Sequence, residues 1–120
     1  VGSQRPGGYA LGAVNVGLGA VNSGGTGFWQ QLDTLLDTSE LVIDRPKGCA
    51  HPRYPDIIYP LDYGYFGQTR GGDGSEVDVW RGTAPEQTID AVVCTADPEK
   101  RDVEVKILLG CTEQDKETIL

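Results

Sequence analysis

Short strand patterns separated by turns fill the second half of the chain, and they limit the possible folds more than any other feature. Residues 76–81 alternate valine with polar or aromatic side chains, and residues 89–95 form a mostly apolar run that contains Asp90. Residues 102–109 alternate apolar and charged side chains over their first half. Alternation with a period of two is typical of a strand with one buried face, and a short apolar run is typical of a fully buried strand. The pattern predicts three strands joined by turns.

The last of these strand patterns also predicts which side chains are buried. Its apolar residues share one face, which we expect to be core: Val103, Val105 and Ile107. The charged residues between them lie on the opposite face.

Two helices and one further strand complete the predicted elements. Residues 28–37 carry apolar side chains on one face of a helical period, and residues 112–120 open like a helix with Thr112 as its cap. Residues 40–44 are a short strand pattern. The proline-rich residues 51–65 predict an irregular segment or an edge hairpin, not a central strand. The expected fold is mainly β with flanking helices (α+β), built as a small β-barrel.

Residues 1–27 differ in composition from the rest of the chain. They hold nine of the 17 glycines and a single charge, and the chain contains no methionine. Glycine-rich segments lose much entropy on ordering, so we expect an appended tail or part of a processed chain, followed by a barrel domain over residues 28–120. The alternative is an added edge strand through residues 9–16.

Charge and cysteine content exclude several classes of protein. A net charge of −8 argues against a nucleic-acid or membrane-surface binder, and leaves metal cations or metal-carrying substrates as partners. No apolar run approaches the roughly 20 residues of a membrane-spanning helix. The three cysteines are odd in number and lack C-x-x-C spacing, which predicts free thiols in a reducing cytoplasm. One histidine excludes multi-histidine zinc chemistry.

Two acidic pairs are candidate metal ligands. Asp73 and Asp78 lie five residues apart across a glycine turn into a strand, where their oxygens can converge on one hard cation such as Mg²⁺ or Mn²⁺. Asp97 and Asp102 bracket a later turn. The alternative for both pairs is an ordinary charged turn on a solvated face.

A run of tyrosines is the candidate phosphate site. Tyr59 and Tyr63, together with the cations Arg53, Lys47 and Lys106, are able to present hydroxyl and cationic groups to phosphate oxygens. The alternative is simple aromatic packing.

The order of these parts resembles the soluble, family I inorganic pyrophosphatases. The shared features are an acidic strand, a cation, Y-P-x-x-Y-G-Y, D-G-x-x-x-D and a D-x-x-x-x-D turn, spread over residues 41–106. The resemblance implies an OB-like barrel that self-associates and uses Mg²⁺ to hydrolyse pyrophosphate or a related phosphoanhydride.

The resemblance also implies roles for individual residues. Asp44, Tyr63 and Asp78 match catalytic positions. The matched metal ligands are Asp73, Asp78, Asp97 and Asp102. Phosphate contacts would come from Arg53, Tyr59, Lys106 and Lys47.

Four departures from the family pattern affect the expected activity. Ser75 stands where the signature has its middle aspartate, and Glu104 stands in place of a phosphate-binding lysine. The segment between Arg53 and Tyr59 is much shorter than in the family, so the hairpin that carries a phosphate-binding arginine is missing, and a late Tyr-Lys pair is missing as well. Serine accepts protons poorly near neutral pH, so hydrolysis is expected to be slow. The alternatives are a non-catalytic binding or regulatory module, and a structural protein that makes contacts through residues 28–36 and the glycine-rich tail.

Overall fold

The computed structural model describes the backbone of residues 4–5 and 9–15, and backbone and side chains of residues 27–119. In chain order the elements are β1 (Gln4–Arg5), β2 (Tyr9–Asn15), α1 (Phe28–Thr38), β3 (Leu41–Arg45), β4 (Asp62–Phe66), β5 (Val77–Arg81), β6 (Ile89–Asp97), β7 (Asp102–Leu109) and α2 (Glu113–Ile119).

The strands form one mixed sheet in the order β1-β2-β6-β7-β5-β4-β3. Every pairing is antiparallel except β5 with β7, which is parallel. Five strands lie within residues 27–119 and two precede them. The prediction of a mainly β fold with two helices is confirmed. Over the described strands, the sheet runs from β1 at one edge to β3 at the other edge, and this order does not close into a barrel.

The sheet is buried on both faces. One apolar cluster contains Leu61, Ala91, Val93, Leu108, Cys111 and Ile119, and it includes the end of α2. The second cluster contains Leu32, Phe66, Val79, Ile89, Val92, Ile107 and Leu109, and it lies under α1. Each helix therefore covers one face of the sheet.

The prediction that Val103 and Val105 are core residues is wrong. Their exposed fractions are 72 % and 52 %, whereas Ile107 on the same face is buried. Ile107 belongs to the cluster that includes Leu32 of α1. The two valines lie closer to the β6–β7 turn, outside both clusters.

The proline-rich segment contains a central strand, contrary to prediction. β4 pairs with β3 on one side and with β5 on the other. All three prolines of residues 51–65 precede β4, so none removes a donor from its ladder. At Gly64 an added Cβ would collide with the Val42 carbonyl oxygen of β3, so glycine permits this close pairing.

Part of the glycine-rich segment pairs with the sheet. β2 runs antiparallel to β6 from Ala10 opposite Ala96 to Asn15 opposite Ala91, which corresponds to the alternative of an added strand in residues 9–16. The remainder of residues 1–26 lies outside the described residues, and the division into tail and barrel domain stays a prediction.

All three cysteines are free thiols, as the sequence predicted. In the described part of the chain, no helix has the length and apolar character needed to cross a membrane.

Candidate active site

The candidate site lies where β5 and β7 separate. The two parallel strands pair from Val79 and Ile107 onwards. Asp78 therefore sits at the end of the paired stretch on β5, and Lys106 sits at the same end on β7. The parallel pairing thus brings together two residues that are 28 positions apart in the chain.

Three side chains meet at this point. The Tyr63 hydroxyl donates a hydrogen bond of 2.8 Å to Oδ2 of Asp78. Nζ of Lys106 lies 4.0 Å from the same oxygen and 5.1 Å from the centroid of the Tyr63 ring. Lys106 therefore makes both an ion pair and a cation–π contact. Sequence analysis assigned all three residues to the site, and the structure brings them together.

Burial dominates the electrostatics of Asp78. It raises the pKa of this carboxyl, and the negative charges of Asp73 and Asp44 act in the same direction. The Tyr63 hydrogen bond and the Lys106 charge oppose this rise. Burial and the Asp78 charge also raise the pKa of Tyr63, so its hydroxyl is a hydrogen-bond donor at neutral pH.

A cavity of about 470 Å³ opens beside this cluster, and we call it the aromatic pocket. Tyr63, Asp78, Glu104 and Lys106 form its polar part, together with Thr95. Its apolar and aromatic wall consists of His51, Tyr54, Ile57, Ile58, Tyr59, Pro60, Trp80, Thr118 and Ile119. The Tyr59 ring lies 5.5 Å from that of Tyr63 and 5.8 Å from that of Trp80, between centroids.

A second cavity of about 240 Å³ is lined by four carboxylates and by apolar side chains, including Phe28 and Leu32 of α1, and we call it the acidic cavity. Its carboxylates are Asp73, Glu76, Asp78 and Glu104. Asp78 and Glu104 line both cavities, so they form the boundary between them. The oxygen donors of Asp73 and Asp78 suit Mg²⁺, which usually takes one or two carboxylates and completes its shell with water and phosphate oxygens.

The loop before β5 shapes the acidic cavity. Oδ1 of Asp73 accepts a hydrogen bond of 3.0 Å from the Ser75 amide, and Gly74 between them has a φ of 88°. This left-handed conformation favours glycine. Ser75 is exposed, so it contributes an amide to the turn but no carboxylate to the cavity.

Asp97 and Asp102 lie farther away. They face each other at the end of the β6–β7 hairpin, and Asp102 is four residues, roughly 13 Å, along the strand from Lys106. Oδ1 of Asp97, a residue only 4 % exposed, accepts hydrogen bonds from the Glu99 and Lys100 amides. The structure thus gives Asp97 a turn-forming role. Within residues 27–119 no three acidic, histidine or cysteine side chains are grouped as metal ligands, so the predicted four-aspartate set is not assembled.

Three other predicted residues, Asp44, Arg53 and Lys47, are exposed. Asp44 is exposed at an irregularity in β3 and pairs with Arg45 at 3.6 Å. Arg53 and Lys47 are exposed, and their backbone amides bond to His51 and Asp62. None of these three predicted residues lines either cavity.

Several residues that line the aromatic pocket, including His51 and Trp80, were not among the predicted site residues. Nδ1 of His51 accepts hydrogen bonds from the Arg53 and Tyr54 amides, at 3.0 and 3.2 Å. Partial burial, and the charges of Arg45, Arg53 and Lys100, lower the pKa of His51. Trp80 lies two residues after Asp78 in the same strand, so alternation alone places both on one face. For His51 no comparable signal exists in the sequence.

Comparisons of the chain with protein-family models, with curated proteins and with solved structures found no match.

Proposed function

We propose that this protein hydrolyses inorganic pyrophosphate, or a related phosphoanhydride, in a slow Mg²⁺-dependent reaction on an OB-like fold of the pyrophosphatase type. One observation carries the proposal. The signature aspartate Asp78, the motif tyrosine Tyr63 and the cation Lys106 meet at one point beside Tyr59.

Asp73 and Asp78 would hold the metal at the acidic cavity. Mg²⁺ supplies positive charge that neutralises phosphate oxygens and activates water. The donor set fits this ion because hard carboxylate oxygens are its preferred protein ligands. Asp97, Asp102 and Asp44 remain candidate supporting groups from the resemblance alone.

The substrate-binding part of the proposal depends on the chain's own side chains. Lys106 presents its ammonium group to a phosphate oxygen, and the Tyr63 hydrogen bond holds the Asp78 carboxylate in a fixed orientation. Tyr59, whose ring lies 5.5 Å from that of Tyr63, would donate its hydroxyl to a second phosphate oxygen. Arg53 and Lys47, which are exposed and line neither cavity, would contribute only long-range attraction for an anion.

The test is phosphate release from pyrophosphate with and without Mg²⁺. We expect Asp78→Asn and Lys106→Gln each to reduce the rate by about 10²-fold or more, since electrostatic groups at the reacting centre contribute on that order. Asp37→Asn, an exposed carboxylate on α1, is the matched control. Activity that is equal in all four proteins would contradict the proposal.

A second candidate function is binding without hydrolysis, and Ser75 favours it. The serine side chain cannot replace the missing carboxylate as a base. If calorimetry shows that Mg²⁺ and pyrophosphate bind but no phosphate is released, this candidate is correct. Ser75→Asp should then produce turnover. Self-association and a cytoplasmic location stay predictions under either function.

A further inference from the structure

We propose that the aromatic pocket binds a planar ring carried by the substrate, so that the substrate is a nucleotide-like organic diphosphate and not free pyrophosphate. This inference rests on the proposed function for its phosphate end. It adds the substrate class, because the proposed phosphate site explains only the polar side of the pocket.

The wall of the pocket is built from aromatic rings that contact one another. Trp80 lies edge-on to Tyr63 with their ring centroids 4.7 Å apart, and Tyr59 contacts both rings. The His51 ring lies parallel to that of Tyr59, at 6.0 Å. Such a wall offers stacking and edge contacts to a flat ring. Pyrophosphate has no apolar surface with which to use it.

The size and charge of the pocket also favour an organic ligand. Its volume of about 470 Å³ lies in the range of sites for drug-sized organic ligands. Within residues 27–119, Lys106 is the one lysine or arginine that lines it, while Asp78 and Glu104 are acidic. A bare, multiply charged anion would gain little from such a pocket, whereas a neutral ring would gain apolar contact along most of the wall.

The two cavities also differ in size and in the number of rings that line them. Asp78 and Glu104 belong to both, so the proposed metal side and the aromatic side meet at the proposed phosphate site. A substrate with phosphate at this boundary has about 470 Å³ available in the aromatic pocket and about 240 Å³ in the acidic cavity. Among the described residues, Phe28 is the one aromatic side chain that lines the acidic cavity, whereas several line the aromatic pocket, so the aromatic pocket suits a planar ring better.

The outer end of the pocket is lined by exposed aromatic and apolar side chains. Tyr54 is 43 % exposed and lies 5.1 Å from the His51 ring, between centroids. Ile58 is 53 % exposed and lines the same pocket. Exposed apolar side chains around a cavity are typical of ligand-binding surfaces.

The test compares ADP with pyrophosphate, both in Mg²⁺, by calorimetry on the full chain. We expect ADP to bind at least about ten-fold more tightly, because stacking of one base on aromatic side chains typically contributes that much or more. Tyr54→Ala should remove most of this preference by raising the Kd of ADP. Tyr54→Phe, which retains the ring, should keep the preference. Tyr65→Ala is the matched control, since it removes the same side chain at a position that lines neither cavity.

Each outcome decides one of the two proposals. Equal Kd values for ADP and pyrophosphate, or the same change in both on Tyr54→Ala, would overturn the ring-binding inference. Pyrophosphate hydrolysis without ADP binding would overturn it and leave the proposed function standing. Tyr54-dependent ADP binding without phosphate release from either compound would support the ring site and contradict hydrolysis. If neither compound binds, both proposals fall.

Discussion

Several opposing electrostatic effects act on the carboxyl group of Asp78. It receives a hydrogen bond from Tyr63 and the field of Lys106, both of which favour its ionised form against the effect of burial. Without the tyrosine hydroxyl, less would oppose the effect of burial, which raises the pKa of Asp78. We therefore expect Tyr63→Phe to raise the pKa of Asp78 further, measured by NMR titration of its carboxyl in the metal-free protein.

Tyr65→Phe provides the control for this titration. Tyr65 lies opposite Asp78 in the β4–β5 ladder, and the change removes one hydroxyl in both variants. The pKa of Asp78 should rise in Tyr63→Phe and remain unchanged in Tyr65→Phe. An unchanged pKa in both variants would show that the 2.8 Å hydrogen bond does not stabilise the carboxylate.

At the scale of elements, one buried carboxylate attaches α2 to the sheet. Asp115 is buried, and it accepts hydrogen bonds from the Thr83 amide and hydroxyl and from the Thr112 amide. The Thr112 hydroxyl accepts from the Asp115 amide in return, which completes a reciprocal cap. The predicted cap at Thr112 is confirmed.

The pH dependence of this cap has a definite sign. Burial disfavours the charge of Asp115, but the hydrogen bonds from Thr83 and Thr112 outweigh it and lower its pKa. Its stabilising effect is therefore present above the ordinary carboxyl pKa of about 3.9, and is lost as pH falls through the folded-state value. We expect Asp115→Ala to lower the free energy of unfolding by about 2 kcal/mol or more at pH 7 in denaturant titrations.

The same titrations at acidic pH complete the test of Asp115. The difference between the original protein and Asp115→Ala should shrink as the pH falls. Glu117→Ala is the control, because Glu117 is an exposed acidic residue of the same helix. A loss of stability that is the same at every pH would contradict the charged cap.

At the scale of the whole molecule, the net charge of −8 arises from 18 acidic and 10 basic residues. The carboxylates of the acidic cavity repel each other, and a bound cation would relieve that repulsion. We expect millimolar Mg²⁺ to raise Tm by a few degrees at constant ionic strength, because a ligand that binds only the folded state stabilises it by mass action.

Two variants test whether the acidic cavity is the origin of this rise in Tm. Asp78→Asn should remove most of the Mg²⁺ effect on Tm, and Asp37→Asn should retain it. Equal shifts in all three proteins would indicate general screening of the charge in place of a binding site.

The elements of the chain were largely predictable because their signals are local. The pattern over residues 102–109 coincides with β7, and the patterns of α1, β3, β5 and β6 match to within two residues. The exposed Val103 and Val105 were not predictable, since alternation indicates two faces but not how far a helix covers either one. The position of β4 between two strands depends on long-range pairing, which leaves little trace in a segment of 5 residues.

The candidate site was also predictable only in part. By itself the sequence determined the residue types and the spacing that indicate a phosphate-and-metal site, because motif spacing is a property of the chain. The tertiary structure decided which of those residues meet. Parallel pairing of β5 with β7 joins Asp78 to Lys106, while the hairpin keeps Asp97 and Asp102 at a distance. The aromatic pocket also belongs to the tertiary structure alone, since His51, Tyr59 and Trp80 become neighbours only when the loop before β4 folds over the sheet.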